Sequence, residues 1–222
     1  MKKRAAYSAA DLVEDGMIVG LGTGSTVYFT LERLSARIED GLSIRGVPTS
    51  LQTIMRARLF HIPLVALEEV DTLDIAIDGA DQVDTHGCLI KGRGGAHTRE
   101  KCVADAAREL VIVVTPQKLS ESLDLPVPVE VIPFAWGHVS RAIHHLGGKA
   151  SLREGQGKDG PVITDNGNFL LDCDFGILTD PSELESELDT IPGVVGTGLF
   201  TRFSRKTKVV VGTERKIRFI SY

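Results

Sequence analysis

Short Val, Ile and Leu runs alternate with helical periodicity from residue 1 to about 127, the pattern of βαβ units whose parallel sheet is covered on both faces. Five runs have strand length and are largely apolar: MIVGLG (17–22), SIRGVP (43–48), IPLVAL (62–67), LDIAID (73–78) and LVIVVT (110–115). Between the first two, Val27, Leu31, Leu34 and Ile38 recur at spacings of four, three and four. Those spacings put one apolar stripe on a helix and turn it toward a sheet.

Near Pro126 and Pro128 the texture changes. A strand-like VEVIP, an Ala/His helix at 135–146 and a Gly-Gly break come first, followed by KASLRE, a Gly/Asp/Lys stretch at 155–160 and VITDNGNFLLDCD. The last of these predicts a hairpin turning at Asn166-Gly167. PSELESELDTI predicts a short helix, with Pro181 in its first turn and acidic residues near its positive end. GTGLF, KVVVG and KIRFI are short strands that return to the first sheet or close the second. The expected fold class is α/β: a Rossmann-like, mostly parallel sheet domain over 1–127 plus about 201–222, with a smaller inserted α+β, ferredoxin-like domain at about 128–200.

Charge and cysteine usage then narrow the partners. Of 222 residues, 25 are basic and 30 acidic, a formal charge of −5, so no general positive field draws a nucleic acid onto the surface. The longest apolar runs fall far short of the ~20 residues that cross a bilayer. In MKKRAAYSAADLVEDG, Asp11, Glu14 and Asp15 interrupt the apolar run that an export signal needs. Neither nucleic acid nor membrane is an expected partner. Cys88, Cys102 and Cys173 are odd in number and match neither a disulfide framework nor a CxxC pair, which suits a reducing cytoplasm. His144 and His145 are adjacent on a helix and point in different directions, so no metal site is expected.

Three segments carry the candidate chemistry. GLGTGST (20–26) joins a strand end to a helix start through a Gly-rich turn, where free N–H groups, the helix dipole and the hydroxyls of Thr23, Ser25 and Thr26 suit a phosphate. It is neither a GxGxxG fingerprint, since Ser25 holds the third Gly position, nor a P-loop, and turn glycines with an N-cap explain it as well. AIDGADQVD (76–84) puts Asp78 at the carboxyl end of a buried strand, the edge where open parallel sheets bind ligands. Asp78 and Asp81 are placed to converge on a polyhydroxylated ligand, or to cap the turn. LIKGRGGAHTREK (89–101) surrounds Arg93 with glycines beside Lys91 and leads into a helix, an arrangement suited to an oxyanion or enediolate. Glu100 falls in that helix's first turn, as a base or as a partner of the dipole. Three such loops after three strands of one sheet describe a site for proton transfer on a phosphorylated sugar. Redox chemistry lacks its cofactor motif, and nucleophilic hydrolysis lacks G-x-S-x-G.

In order and spacing, GLGTGST, DGADQVD, KGRGGAHTREK, PVEVIPFAW, TDNGNFLLD and IPGVVGTGLF resemble the A-type ribose-5-phosphate isomerase family, across nearly the whole chain. The resemblance implies interconversion of ribose 5-phosphate and ribulose 5-phosphate in the non-oxidative pentose phosphate pathway, without metal or organic cofactor. By position, Thr23, Gly24, Ser25 and Thr26 match the family's first substrate loop. Asp78, Gly79, Ala80 and Asp81 match the second, and Lys91, Gly92, Arg93 and Gly94 the third. Glu100 matches the catalytic base, with Asp78, Asp81 and Lys91 assisting the proton traffic. Lys118, in TPQKLSESL, matches a substrate-binding lysine, and Lys2 or Lys3 is a further phosphate contact. Arg93 and His97 depart from the plainer GGGGAL form of the third loop. The implied partner is a small phosphorylated pentose, and the implied assembly a homodimer or homotetramer. A non-catalytic sugar-phosphate sensor of the same fold is the alternative.

Overall fold

The computed structural model describes residues 1–157 and 159–222. In chain order the elements are α1 (Lys2–Ala10), β1 (Ile18–Leu21), α2 (Ser25–Glu39), β2 (Arg45–Pro48), α3 (Leu51–Leu59), β3 (Leu73–Asp78), β4 (Gln82–Val83) and β5 (Leu89–Ile90). There follow α4 (His97–Ala106), β6 (Ala107–Val114), β7 (Val127–Val131), α5 (Trp136–His145), β8 (Lys149–Leu152) and β9 (Phe169–Asp174). Then come α6 (Pro181–Asp189), β10 (Val194–Thr197), β11 (Leu199–Phe200), β12 (Thr207–Gly212) and β13 (Ile217–Ser221). Two compact units result: Met1–Ala80 with Arg99–Leu119 and Phe203–Tyr222, and Asp81–Thr98 with Ser120–Arg202.

The first unit is built on a six-stranded sheet of order β13-β12-β6-β3-β1-β2. Every pairing is parallel except that of the edge strand β13 with β12, so KVVVG and KIRFI return to this sheet. Strand alternation sends Val19, Leu21, Ile75, Ile77, Val111, Val113 and Val210 to one face, where they are buried with α1 and with Val27, Leu31 and Leu34 of α2. On the other face Val103 of α4 packs against Gly20, beside Ala76. Helices therefore cover both faces, as a parallel sheet requires.

IPLVAL (62–67) is not a strand. It makes one bridge, Gly46 to Leu64, through Gly46 N–H to Pro63 O at 2.8 Å and Val65 N–H to Gly46 O at 3.0 Å. Pro63 has no N–H to extend a ladder. The chain then turns through a 3-10 helix at Leu67–Glu69, where Glu69 Oε2 accepts the Ala66 N–H at 2.8 Å.

The second unit carries a four-stranded antiparallel sheet of order β10-β7-β9-β8, with α5 and α6 in the connections. The β-α-β-β-α-β sequence of elements is the ferredoxin-like arrangement. Val127, Val129 and Val131 of β7 point into its core with Val139, Ile143, Leu171, Cys173 and Leu188. A second, three-stranded sheet of order β11-β5-β4 pairs GTGLF with the segment before the third loop, Leu199 opposite Ile90 and Phe200 opposite Leu89.

The hairpin before β9 turns one residue earlier than Asn166-Gly167. Gly167 N–H reaches Thr164 O and Thr164 N–H reaches Asn168 O, both at 2.9 Å, so Asp165 and Asn166 are central and Gly167, at φ 81°, takes the left-handed position. Of the Gly/Asp/Lys stretch at 155–160, Lys158 lies outside the described residues. The hairpin folds over Glu130 of β7, which is fully buried. Glu130 Oε1 accepts from the Thr164 hydroxyl at 2.8 Å and from the Asn166 and Asn168 amides at 3.0 and 2.8 Å. Burial pushes this carboxyl up, but the hydrogen bonds outweigh burial and hold it below the usual carboxylate range.

Candidate active site

In the first unit, the carboxyl ends of the neighbouring strands β6, β3 and β1 present the predicted residues on one edge. Gly22 to Gly24 follow β1, Asp78 ends β3, and Lys118 ends the 3-10 turn Pro116–Lys118 after β6. Asp78 is buried, and its Oδ1 accepts the Thr23 N–H at 3.1 Å and the Gly79 N–H at 2.8 Å. One carboxylate oxygen thus joins the first loop to the second. The approach depends on Gly22, where a Cβ would lie 2.6 Å from Asp78 Cβ and nearer still to its Cγ and Oδ1.

The first loop divides its hydroxyls. Thr23 Oγ1 is turned inward, 2.9 Å from Thr49 Oγ1 and 2.8 Å from Ser50 Oγ, so it serves the loop's own conformation. Thr53, from α3, donates to Gly22 O at 2.6 Å. Ser25 is exposed at the start of α2, and Lys2 Nζ donates to its hydroxyl at 3.2 Å. Lys3 instead pairs with Glu32 at 2.9 Å, which raises the lysine pKa and lowers that of the carboxylate. Of the two N-terminal lysines, Lys2 is therefore the one beside the loop. Arg56 of α3, absent from the sequence-based set, donates to Gly24 O at 3.1 Å while lying over the Tyr28 ring, 5.6 Å from its centroid. Glu100 is buried in the first turn of α4. One turn on, Val103 fixes that helix to the sheet.

In the second unit, Asp81 and the third loop form one bonded group. Asp81 N–H donates to Ile90 O at 2.8 Å, and Asp81 Oδ2 accepts the Arg93 N–H at 2.9 Å. Lys91 N–H is held by Gly198 O at 2.8 Å, and its buried side chain places Nζ 5.5 Å from the Phe200 ring centroid. Gly95 N–H turns back to Gly92 O at 2.9 Å. The nest suggested by the glycine spacing is therefore partly closed by bonds within the fold. Among the described residues, the N–H groups of Gly92 and Gly94 have no acceptor, while those of Lys91, Arg93 and Gly95 are used within the fold.

The Arg93 side chain is exposed, and its backbone does the structural work. His97, the other departure in this loop, is fully buried with Nε2 3.2 Å from Gly196 O. Its ring occupies the space beside Gly92, where a Cβ would lie 2.6 Å from His97 Nδ1. A residue absent from the sequence-based set, Arg153, reaches the same loop and donates to Gly92 O and Arg93 O. Among the described residues, no group of three or more His, Cys, Asp or Glu could hold a metal ion, and no helix is long and apolar enough to cross a membrane.

Comparison with known proteins agrees in direction. The family model for ribose 5-phosphate isomerase A (phosphoriboisomerase A) matches residues 45–216. The chain is similar to a ribose-5-phosphate isomerase A of Methanoregula boonei, 54% identical over 215 residues that span 97% of this chain and 91% of that protein. The solved structure of the Methanocaldococcus jannaschii ribose 5-phosphate isomerase A is 46% identical, with a TM-score of 0.95 over 100% of this chain and 98% of that one. A D-ribose-5-phosphate isomerase solved in complex with phospho-erythronic acid is 44% identical, with a TM-score of 0.96 over 100% and 97%.

Proposed function

Because the chain belongs to the ribose 5-phosphate isomerase A family, we propose that it interconverts D-ribose 5-phosphate and D-ribulose 5-phosphate through an enediolate. The observation that carries this reading is the Asp78 carboxylate, buried at the carboxyl end of a central strand and bonded to the N–H groups of both the first and the second loop. That edge is where an open parallel sheet takes its ligand. The phosphate goes to the start of α2, where the Ser25 and Thr26 backbone N–H groups, the Ser25 hydroxyl and Lys2 meet the positive end of the helix dipole. Lys118 adds a second cation. The similar structure holds phospho-erythronic acid, whose carboxylate stands beside a phosphate as the enediolate oxygen does in this reading.

The sugar enters mostly as a ring, and Asp78 or Asp81, with Lys91, moves the proton that opens it. Glu100 then removes the proton from C2 and returns it to C1. One carboxylate serves as base and acid because the two carbons are adjacent. Negative charge on the enediolate oxygen is met by Lys91 Nζ and the N–H groups of Gly92 and Gly94, preorganised donors of the kind that lower such barriers most. A sugar-phosphate sensor is not favoured, since the similar proteins that span the whole chain carry the isomerase name. Free cysteines at 88, 102 and 173 support a reducing compartment such as the cytoplasm. The assembly is a homodimer or homotetramer, which sedimentation of the purified chain decides.

The test is turnover of ribose 5-phosphate in a coupled assay with chelator present, alongside glucosamine 6-phosphate and acyl-CoA substrates. Turnover of the pentose alone is expected, and Glu100→Gln should lower it on the order of 10²–10⁴-fold. Near-wild-type activity in that variant would remove Glu100 from the mechanism.

A further inference from the structure

We infer that Arg153 is a positioning residue for the isomerisation, aiming the third loop's N–H groups from behind the site; the inference rests on the isomerase reading above. Arg153 directly follows β8, and its own N–H is tied to Leu170 O of β9 at 2.8 Å. Its guanidinium is held at two nitrogens by one carboxylate: Nε donates to Asp172 Oδ2 at 2.9 Å, and Nη2 donates to Asp172 Oδ1. A planar fork seated in this way has little rotational freedom left. The Arg153 side chain is 17% exposed and that of Asp172 33%, so water screens the pair only in part.

The remaining nitrogen faces the loop. Arg153 Nη1 donates to Gly92 O at 3.0 Å and to Arg93 O at 3.1 Å. A trans peptide group is planar, so a carbonyl turned toward the guanidinium turns the next residue's N–H the opposite way. The N–H groups of Arg93 and Gly94 are consequently both directed away from Arg153. The first lands on Asp81 Oδ2 at 2.9 Å. The second has no acceptor among the described residues. Gly92, at φ 104°, supplies the left-handed backbone that lets successive N–H groups converge as an anion nest. Arg153 also draws off two carbonyl dipoles that would otherwise oppose an anion in front of the loop.

No loop residue does this job itself. Lys91 N–H is fixed on Gly198 O, and the Gly92–Arg93 peptide is shared by Arg153 with Gly95 N–H and Asp81, so the Arg93–Gly94 peptide, whose N–H is open, is the one that rests on Arg153 among the described residues. The side chain acts through the loop and touches no reacting atom, so removing it should affect the step that develops charge more than the binding of phosphate by the first loop.

The experiment uses the full chain with ribose 5-phosphate and compares wild type, Arg153→Lys, Arg153→Ala, Asp172→Asn and the Arg153→Lys/Asp172→Asn double variant. Wild-type turnover comes first, since its absence would sink the isomerase reading itself and leave no positioning to measure. Lysine keeps the charge but cannot fork between one carboxylate and two carbonyls. Arg153→Lys should therefore lose about 10- to 100-fold in kcat, the scale of a misplaced catalytic constellation, with KM within about threefold. Asp172→Asn should lose less, and adding it to Arg153→Lys should change kcat less than about twofold, because both act through the same loop. Methylguanidinium should restore part of the kcat of Arg153→Ala at a temperature where that variant is already fully folded. Two results would overturn the inference: kcat within threefold of wild type in Arg153→Lys, or a loss that tracks the folded fraction and ignores added methylguanidinium.

Discussion

Replacing Gly22 by Ala tests whether the position of Asp78 matters apart from its charge. The added Cβ would lie 2.6 Å from Asp78 Cβ, whereas ordinary van der Waals contact begins at 3.4 Å. The Asp78 side chain must then withdraw by about 0.8 Å at Cβ and further at the carboxylate, an overpacking that costs about 1–3 kcal/mol by itself. Asp78 is 5% exposed at the end of a central strand, so the displacement stretches the hydrogen bonds from Thr23 and Gly79 instead of being absorbed by solvent. Bonds to a charged acceptor are worth about 1.5–3 kcal/mol each, so with one of the two lost on top of the overpacking a total of about 2.5–6 kcal/mol in stability is expected. Gly22 does not have a left-handed φ, so backbone strain adds nothing to this figure. A displacement approaching 1 Å at a catalytic group lowers turnover by roughly 10²-fold. Urea unfolding gives the first quantity and the coupled isomerase assay the second. If the folded variant turns over within threefold of wild type, the link drawn between Gly22, the Asp78 position and the chemistry is wrong.

Three further outcomes follow from single contacts. Lys2→Ala should raise KM for ribose 5-phosphate about fivefold, the ~1 kcal/mol that solvent screening leaves to an exposed charged contact; Lys3→Ala, whose Nζ is taken by Glu32, should leave KM within about twofold. Gly137→Ala, in the first turn of α5 with its nearest neighbour atom 3.7 Å away, should stabilise the chain by about 0.5 kcal/mol without changing kcat. Glu130→Gln should cost about 1.5–3 kcal/mol at pH 7. Because the native carboxyl is held below its ordinary value near ~4.3, that contribution is complete above this pH and fades as pH falls through the native pKa. Urea titrations of both proteins at pH 7 and pH 3.5 should show the gap closing, and a constant gap would count against a charged Glu130.

Helices and strands were legible where large aliphatic side chains repeat at the period of the element. β1, β3, β6 and α2 all meet that condition, because their Val, Ile and Leu residues face the sheet's core. α1 gave no such signal, since the residues it buries are Ala5, Ala6, Ala9 and Ala10, chosen for close approach and not for apolar bulk. α3 reverses the usual sign. It buries Thr53 and Ala57, while Leu51, Met55 and Leu59 are exposed, so a periodicity reading finds no inward stripe. Its one local signal is Ser50, an N-cap whose oxygen accepts the Thr53 N–H at 3.0 Å. IPLVAL misled in the opposite way, because an apolar run without a second ladder partner is only an edge bridge.

The candidate site was legible in its glycines and carboxylates, because close approach and left-handed backbone leave marks at the residue concerned. Its supports left none. Arg56 and Arg153 act on carbonyls 32 and 61 residues away in sequence, and an arginine bound to a distant backbone oxygen reads like any other arginine. The same blindness inflates the donor count of the third loop. Spacing alone cannot separate an N–H that faces a ligand from one that Asp81 or Gly92 has already taken. Asp78 and Asp81, three residues apart, read either as a pair converging on one ligand or as caps of the turn, and neither reading foresaw that each also anchors a separate loop: Asp78 the first, and Asp81 the third. With only two backbone donors of the third loop left open, the proposed mechanism assigns more of the enediolate charge to Lys91. Its ammonium, buried against Phe200, faces an environment in which a single charge counts for far more than it would in water.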